Sequence, residues 1–271
     1  MEPTPLVILA EIEIHPIKST HRIALQEADV VGTGLRFDRS WMVVSPDGSF
    51  LTGREHPRLT QIRSEIGDGV LEVRAEGQPA LHVPLVFGDD ERVGVQVWND
   101  TVDARAVSTA ADRWFSTVLG FSCRLVRLDD TSPRAVDPTY ARAGDQVGFA
   151  DGYPLLITSM ESLAHLNERL PEPVTMARFR PNLVIQGATP FEEDIWQRLR
   201  IGEVEVELVK PCARCVLTTV DPDTGARHAV GEPLRTLNTF RNSPRGVLFG
   251  QNAVPRVLGR VRVGDPVEVL A

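Results

Sequence analysis

A chain of 271 residues with 42% apolar and 24% charged side chains has the composition of a folded globular protein, long enough for one large domain or two moderate ones. Its 29 basic against 37 acidic residues give a formal charge of −8, the wrong sign for a protein whose main business is a phosphate backbone, so nucleic acid is not an expected partner. Three cysteines, Cys123, Cys212 and Cys215, are too few and odd in number for a secreted disulfide framework, and no apolar run reaches the roughly 18 residues of a membrane helix.

The start, MEPTPLVILAEIEIHPIK, carries a short apolar run that Glu11 interrupts, with no basic stretch before it. That is not a signal peptide, and a reducing cytoplasm is the expected compartment with no membrane partner. Ile8, Ala10, Ile12 and Ile14 alternate with Leu9, Glu11 and Glu13, which predicts a half-buried strand. Trp41 to Val44 predict another, followed by the turn Ser45-Pro46-Asp47-Gly48 and a return through Phe50-Leu51-Thr52, hence a hairpin. Residues 70–74, 80–85 and 93–98 read as strands. A helix over 108–120 breaks the pattern, with Ser108 as its cap, Trp114, Val118 and Leu119 on one stripe and Gly120 at its end.

Residues 129–145 lose periodicity and gain proline and charge, which marks a loop or linker. A strand over 153–157 and a helix over 159–170, with Leu163, Leu166 and Leu170 on one face, open a second unit; the prolines at 171 and 173 stop the helix. Val204, Val206 and Leu208 alternate with glutamates in a strand that leads into KPCARCVLTTVDPDTG. A short helix over 233–240, with Pro233 in its first turn, and strands over 248–254, 257–263 and 267–270 finish the pattern. The fold class is therefore mainly β with short helices, an α+β mixture.

Cys212 and Cys215 stand at C-x-x-C spacing, which has three common uses. A structural zinc site needs two more soft ligands, and only Cys123 and six scattered histidines remain. A redox pair opens a helix, whereas the residues after Cys215 are β-branched and then turn-forming, as in a strand and hairpin. The third reading, two buried small side chains, is weakened by Lys210 and Arg214, because cations favour a thiolate. Asp221-Pro222-Asp223-Thr224-Gly225 lacks the remaining ligands of a calcium loop and reads as a turn. Trp41, Trp98, Trp114 and Trp196 read as core residues.

KPCARCVLTTVDPDTG resembles the signature of the MOSC family, the molybdenum-cofactor sulfurase C-terminal domain, and particularly of the mitochondrial amidoxime-reducing components and their bacterial relatives. The resemblance continues in HPIKS, GLRFDRSWMVV and FLTGREHPRL, similar to the family's N-terminal β-barrel domain. FADGYPLLI, RFRPNLVI, LFGQNAV and VGDPVEVL resemble the MOSC domain itself, so the likeness covers nearly the whole chain in the family's order. It implies two β-barrel units, 1–128 and 129–271, with a molybdenum cofactor between them.

By the same resemblance Cys215 is the protein ligand to molybdenum, while Cys212 has no assigned role beyond a structural one. A soft thiolate beside the two dithiolene sulfurs of the pterin is a sensible third ligand. Lys18, Ser19, Arg39, Arg180 and Asn182 fall at positions that hold the anionic cofactor, and arginine's planar fork suits its phosphate. Each has a plainer reading: Lys18 as a solvated charge, Arg39 as the partner of Asp38, and Arg180 as a residue forced extended by Pro181. Asp151 matches an acidic, catalytically placed position near the cofactor. Gly152 and Tyr153 depart from the hydroxyl residues of some relatives, so backbone N–H groups there are expected to take over.

The implied activity is reduction of N-hydroxylated compounds, amidoximes or hydroxylamines, by oxygen-atom transfer to molybdenum. No flavin, NAD or iron–sulfur fingerprint is present, and the last expected strand runs to residue 270, so electrons are expected from a separate donor of flavin, ferredoxin or cytochrome type. The alternative is a non-catalytic module that carries the cofactor, or sulfur as a Cys215 persulfide.

Overall fold

The computed structural model describes residues 6–86, 88, 90–128 and 134–271. The head of the N-terminal stretch, residues 1–5, and residues 129–133 of the expected linker lie outside the described residues, and so does the start of the expected second unit.

The first half runs through β1 (Ile8–Ile14), β2 (Ile23–Leu25), β3 (Glu27–Val31), β4 (Gly34–Leu35), β5 (Trp41–Val44), β6 (Arg63–Gly67), β7 (Val70–Arg74) and β8 (Leu81–Pro84). Then come β9 (Arg92–Val97), β10 (Asp100–Ala106), helix α1 (Thr109–Leu119) and β11 (Arg124–Arg127). The second half opens with β12 (Arg134–Ala135), β13 (Gln146–Val147), β14 (Leu155–Ser159), α2 (Met160–Asn167) and β15 (Leu183–Gln186). It closes with β16 (Arg198–Ile201), β17 (Val204–Ala213), α3 (Leu234–Phe240), β18 (Asn242–Ser243), β19 (Gly246–Val257), β20 (Gly259–Arg262) and β21 (Val267–Val269).

The mainly β expectation is met, and local chemistry accounts for the element ends. Ser108 accepts the Ala111 N–H to start α1, and Gly120 ends it in a left-handed conformation. Residues 45–49 make the tight turn, with Val44 opposite Phe50. The expectation for the cysteine stretch fails. The β-branched run after Cys215 is a 3₁₀ turn, Val216–Thr219, instead of a strand. The Thr218 and Thr219 hydroxyls donate to the Cys215 and Val216 carbonyls, a local bonding route that competes with strand pairing. The hairpin turn beyond it is present, with Val220 bridged to Arg227 and Gly225 at φ 70°.

Among the described residues a nine-stranded sheet runs β2-β1-β15-β14-β19-β17-β16-β21, with β18 attached to β19. Its pairings are antiparallel except β14 with β15. A second sheet, β5-β11-β10-β9, and a third, β6-β7-β8, belong wholly to the first half. A boundary at 128/129 divides the sequence but not the sheets: β1 and β2 lie in the sheet of the second half, and β3 pairs with β20. Their apolar faces explain it. Leu9, Ile12, Ile14 and Val30 share one core with Leu155, Ile157, Leu183 and Val261.

Strand β5 is buried on both faces, Trp41 and Val43 packing in one cluster and Met42 and Val44 in another. Gly34, at φ 109°, presses the first half onto the second: a Cβ there would lie 2.2 Å from the Pro154 carbonyl oxygen.

Candidate functional site

The cleft lies where the segments after β1 and before β5 meet the segments before β14, before β15 and after β17. Its empty space, open solvent included, is about 880 Å³. Every residue named above as a candidate lines it: Lys18, Ser19, Arg39, Asp151, Gly152, Tyr153, Arg180, Asn182 and Cys215. Cys212 lines it too, together with Arg54, Arg178 and Arg214. The wall thus carries six basic side chains and one carboxylate, Asp151, in a chain of net charge −8.

Lys18 is a buried charge rather than a solvated one. Its ammonium donates to the Phe149 carbonyl at 2.7 Å and to Asp151 Oδ1 at 2.5 Å. Burial holds its pKa below the usual lysine value despite Asp151. For Asp151 burial pushes upward, but Lys18, then Arg54 and the Trp98 N–H, more than cancel it, so this carboxyl stays well below the ordinary range.

Arg39 pairs with Asp38, its plainer reading, and lines the cleft as well. Nη1 bonds Asp38 at 2.9 and 2.6 Å, and Nη2 donates to the Arg180 carbonyl at 3.0 Å. Asp38 also accepts the His15 N–H at 2.7 Å. Arg180 is not extended as its place before Pro181 suggests; its φ is 55°. The hydrogen bond to its carbonyl and its own Nη1 bond to the Thr20 carbonyl, 2.7 Å, hold it there. Burial, and then repulsion by Arg39, lower its pKa to about 9. Asn182 is at the wall, but its amide is engaged by the Leu156 N–H and the Glu13 carbonyl, so it braces the strands.

Behind this wall burial leaves His15 far below its usual pKa, with Arg180 and Arg39 adding to the effect. Burial raises Glu13 to about 7 against the pull of Arg22. Six non-glycine residues have positive φ among the described residues, and Ser19, Arg39, Trp98 and Arg180 of these border the cleft. Such strain concentrates where the surroundings over-determine a functional geometry.

The sulfur wall is built by the end of β17, whose register against β19 shifts between Pro211 and Ala213. Both thiols are free and half-buried. Lys210 does not serve them: its ammonium lies 4.3 Å from the Tyr140 ring centroid, a cation–π contact. Arg214 serves Cys212, not Cys215, donating to its Sγ at 3.0 Å and to the Phe179 carbonyl at 2.6 Å. Among the described residues no group of three His, Cys, Asp or Glu is arranged to hold a metal ion. A metal at Cys215 must therefore bring most of its ligands with it, as a pterin dithiolene does.

The donors suit such a group. Among the described residues Tyr153 Oη, Arg178 Nη1 and Arg214 Nε are buried on cleft residues without a protein partner, and an anionic, oxygen-rich ligand would satisfy each. A Cβ added at Gly152 would meet nothing within 4 Å, so the backbone there is open to close approach. The phenol of Tyr153 is pushed up to about 12 by burial, then by Asp137, and stays a donor.

Sequence reasoning missed Arg54 and Arg178 and took Arg214 only as a neighbour of the thiols, although all three lie inside motifs quoted above. Their clustering in short motifs of an acidic chain was the available signal. Trp98 was misassigned to the core: it is 42% exposed, and its indole N–H donates to Asp151 at 3.3 Å. Its place at the β9–β10 turn forces it outward. Trp41, Trp114 and Trp196 are buried as expected.

Known proteins resemble this chain along most of its length. Residues 6–122 match the MOSC N-terminal beta barrel domain and residues 144–268 the MOSC domain. The mitochondrial amidoxime-reducing component 1 of Mus musculus is 36% identical over 97% of this chain and 82% of its own length. Component 1 of Homo sapiens is 35% identical over 97% and 82%, and human component 2 is 35% identical over 96% and 82%. The chain therefore belongs to the MOSC-domain family that includes the mitochondrial amidoxime-reducing components.

Proposed function

We propose that this chain is a molybdenum-cofactor-dependent reductase that cleaves the N–O bond of N-hydroxylated compounds such as amidoximes and hydroxylamines. The observation that carries the reading is the meeting of six basic side chains and the Cys215 thiol on one cleft of an acidic protein. The cofactor, when bound, supplies two-electron redox chemistry at molybdenum and a phosphate by which it is anchored.

The chain's residues divide the remaining work. Arg39 and Arg180, with Lys18 and Ser19 behind them, face the anion with little freedom left to lose, because their backbones and guanidinium groups are tied to protein carbonyls and Asp38. Gly152 and the Tyr153 hydroxyl offer donors to the same group. Cys215 gives its thiolate to the metal and Arg178 and Arg214 point charge at the same cleft. Asp151, held ionised, is an acceptor for amino N–H groups and cannot act as a proton donor near neutral pH. Electrons come from a separate protein of flavin, ferredoxin or cytochrome type. The free thiols of Cys123, Cys212 and Cys215 support a reducing, cytoplasmic setting.

The test is metal analysis of protein made in a host that synthesises the cofactor, followed by benzamidoxime reduction with a chemical electron donor. One molybdenum per chain with turnover is the expected result. Stoichiometric molybdenum without turnover overturns the reductase reading in favour of a carrier.

A further inference from the structure

Arg54 differs from every other cation on the cleft wall. Lys18, Arg39, Arg178, Arg180 and Arg214 each donate side-chain hydrogen bonds to protein acceptors. Among the described residues the Arg54 side chain has neither a hydrogen bond nor an ion pair, yet it lines the cleft. What holds it is a ring: its guanidinium carbon lies 4.3 Å from the centroid of Trp98. A guanidinium held over a ring by cation–π attraction spends none of its N–H groups on that contact and leaves them free for a ligand. Its backbone is fixed as well, since the Arg54 carbonyl accepts from Arg227 Nη2 at 2.5 Å.

Trp98 is placed with comparable care. It sits at φ 57°, a conformation a bulky side chain holds only when its surroundings compel it. The bond from its indole N–H to Asp151 and the Phe50 ring, centroid 5.1 Å away, supply that constraint. Asp151, the nearby carboxylate, takes its ion pair from the Lys18 ammonium at 2.5 Å, so Arg54 acts on it only through space and its N–H groups stay open to a ligand.

We propose that Arg54 binds the oxygen of the substrate's N–O group, most strongly where that oxygen carries negative charge as in amine N-oxides, and that Trp98 is the positioning residue that presents it. This rests on the reductase reading above and names a residue for its substrate. The guanidinium donates to an oxygen acceptor, and a charged oxygen accepts more strongly than the neutral hydroxyl of an amidoxime.

Calorimetric titration of oxidised, cofactor-loaded protein with trimethylamine N-oxide and with benzamidoxime tests binding apart from turnover. Arg54→Gln is expected to weaken N-oxide binding about tenfold or more and benzamidoxime binding less than about threefold, at unchanged molybdenum content. In turnover the same variant raises KM with kcat kept. Trp98→Leu shifts KM in the same direction, and Trp98→Phe restores it because a ring remains under the guanidinium.

Equal N-oxide binding by wild type and Arg54→Gln overturns the proposal, and so does loss of molybdenum in that variant, which would make Arg54 a cofactor residue. A wild-type protein that holds molybdenum but reduces neither compound defeats the reductase reading alone; the titrations still decide for or against Arg54.

Discussion

The two walls of the cleft are built on opposite plans. On the cationic wall Lys18, Arg39 and Arg180 are locked by carbonyls, by Asp38 and Asp151, and by left-handed backbone at Ser19, Arg39 and Arg180. On the sulfur wall Cys215 makes no side-chain hydrogen bond among the described residues and stands half-buried at the head of a 3₁₀ turn. An anion is bound best by donors fixed in advance, since ordering long basic side chains at the moment of binding costs free energy. A metal ligand needs the reverse, a sulfur whose lone pairs no protein donor has claimed.

Breaking the sulfur wall should have the largest effect. Cys215→Ser replaces a soft ligand by a hard, weakly acidic hydroxyl, and turnover should fall by about three orders of magnitude with molybdenum content falling in parallel. Normal metal content and normal benzamidoxime reduction in this variant would remove the ligand assignment. The cationic wall breaks differently, through the fold. Asp38 and Arg39 have side chains only 2% and 12% exposed, so Asp38→Ala leaves a guanidinium buried without its carboxylate. Chemical denaturation should show a loss of about 4 kcal/mol, and unchanged stability would mean that Arg39 relaxes into solvent.

The walls were also unequally legible in the sequence. Strand alternation, the Ser108 and Gly120 caps and the Asp221–Gly225 turn announce themselves because each depends on neighbours in the chain. The thiol pair and most of the cations were visible as motif residues. The conformation of Arg180 was not, because a hydrogen bond from Arg39, far away in sequence, overrides the local preference set by Pro181. The 3₁₀ turn after Cys215 hid behind β-branched side chains whose hydroxyls bond locally. Trp98 was lost to the habit of burying tryptophan, and only the position of Asp151 and Arg54 in space shows what it does.

Acid–base behaviour sharpens the comparison, because a buried carboxyl group, Glu13, lies close enough behind the cationic wall to feel the charges of Arg180 and Arg39. Glu13 is 3% exposed, its Oε1 accepts from the Arg22 Nε at 2.7 Å, and its Oε2 has no partner among the described residues. Its pKa rises from 4.5 to about 7 on folding, so folding favours the protonated form. That contribution is complete below pH 4.5 and is lost as pH rises through about 7. Glu13→Gln keeps the acceptor for Arg22 and removes the ionisation. The variant should match wild type near pH 4.5 and exceed it by about 3 kcal/mol at pH 8, as read by urea denaturation at each pH. A pH-independent difference would mean that Glu13 stays ionised and neutralises part of the wall.

The smallest effect should come from the other cysteine, and it separates the two sulfurs most cleanly. Cys212 lines the same cleft two residues before Arg214, but its Sγ already accepts a guanidinium N–H at 3.0 Å. The second nitrogen of that guanidinium holds the Phe179 carbonyl at 2.6 Å, and Phe179 stacks on Phe249 at 4.0 Å between ring centroids. Cys212 is therefore one end of a brace that carries the sulfur wall onto the core. A serine hydroxyl accepts the same N–H with little change of shape. Cys212→Ser should keep one molybdenum per chain and change benzamidoxime turnover less than about threefold, within the range of a retained hydrogen bond. Loss of metal in this variant would make the pair, and not Cys215 alone, the ligand, and the contrast between a claimed and an unclaimed sulfur would fall with it.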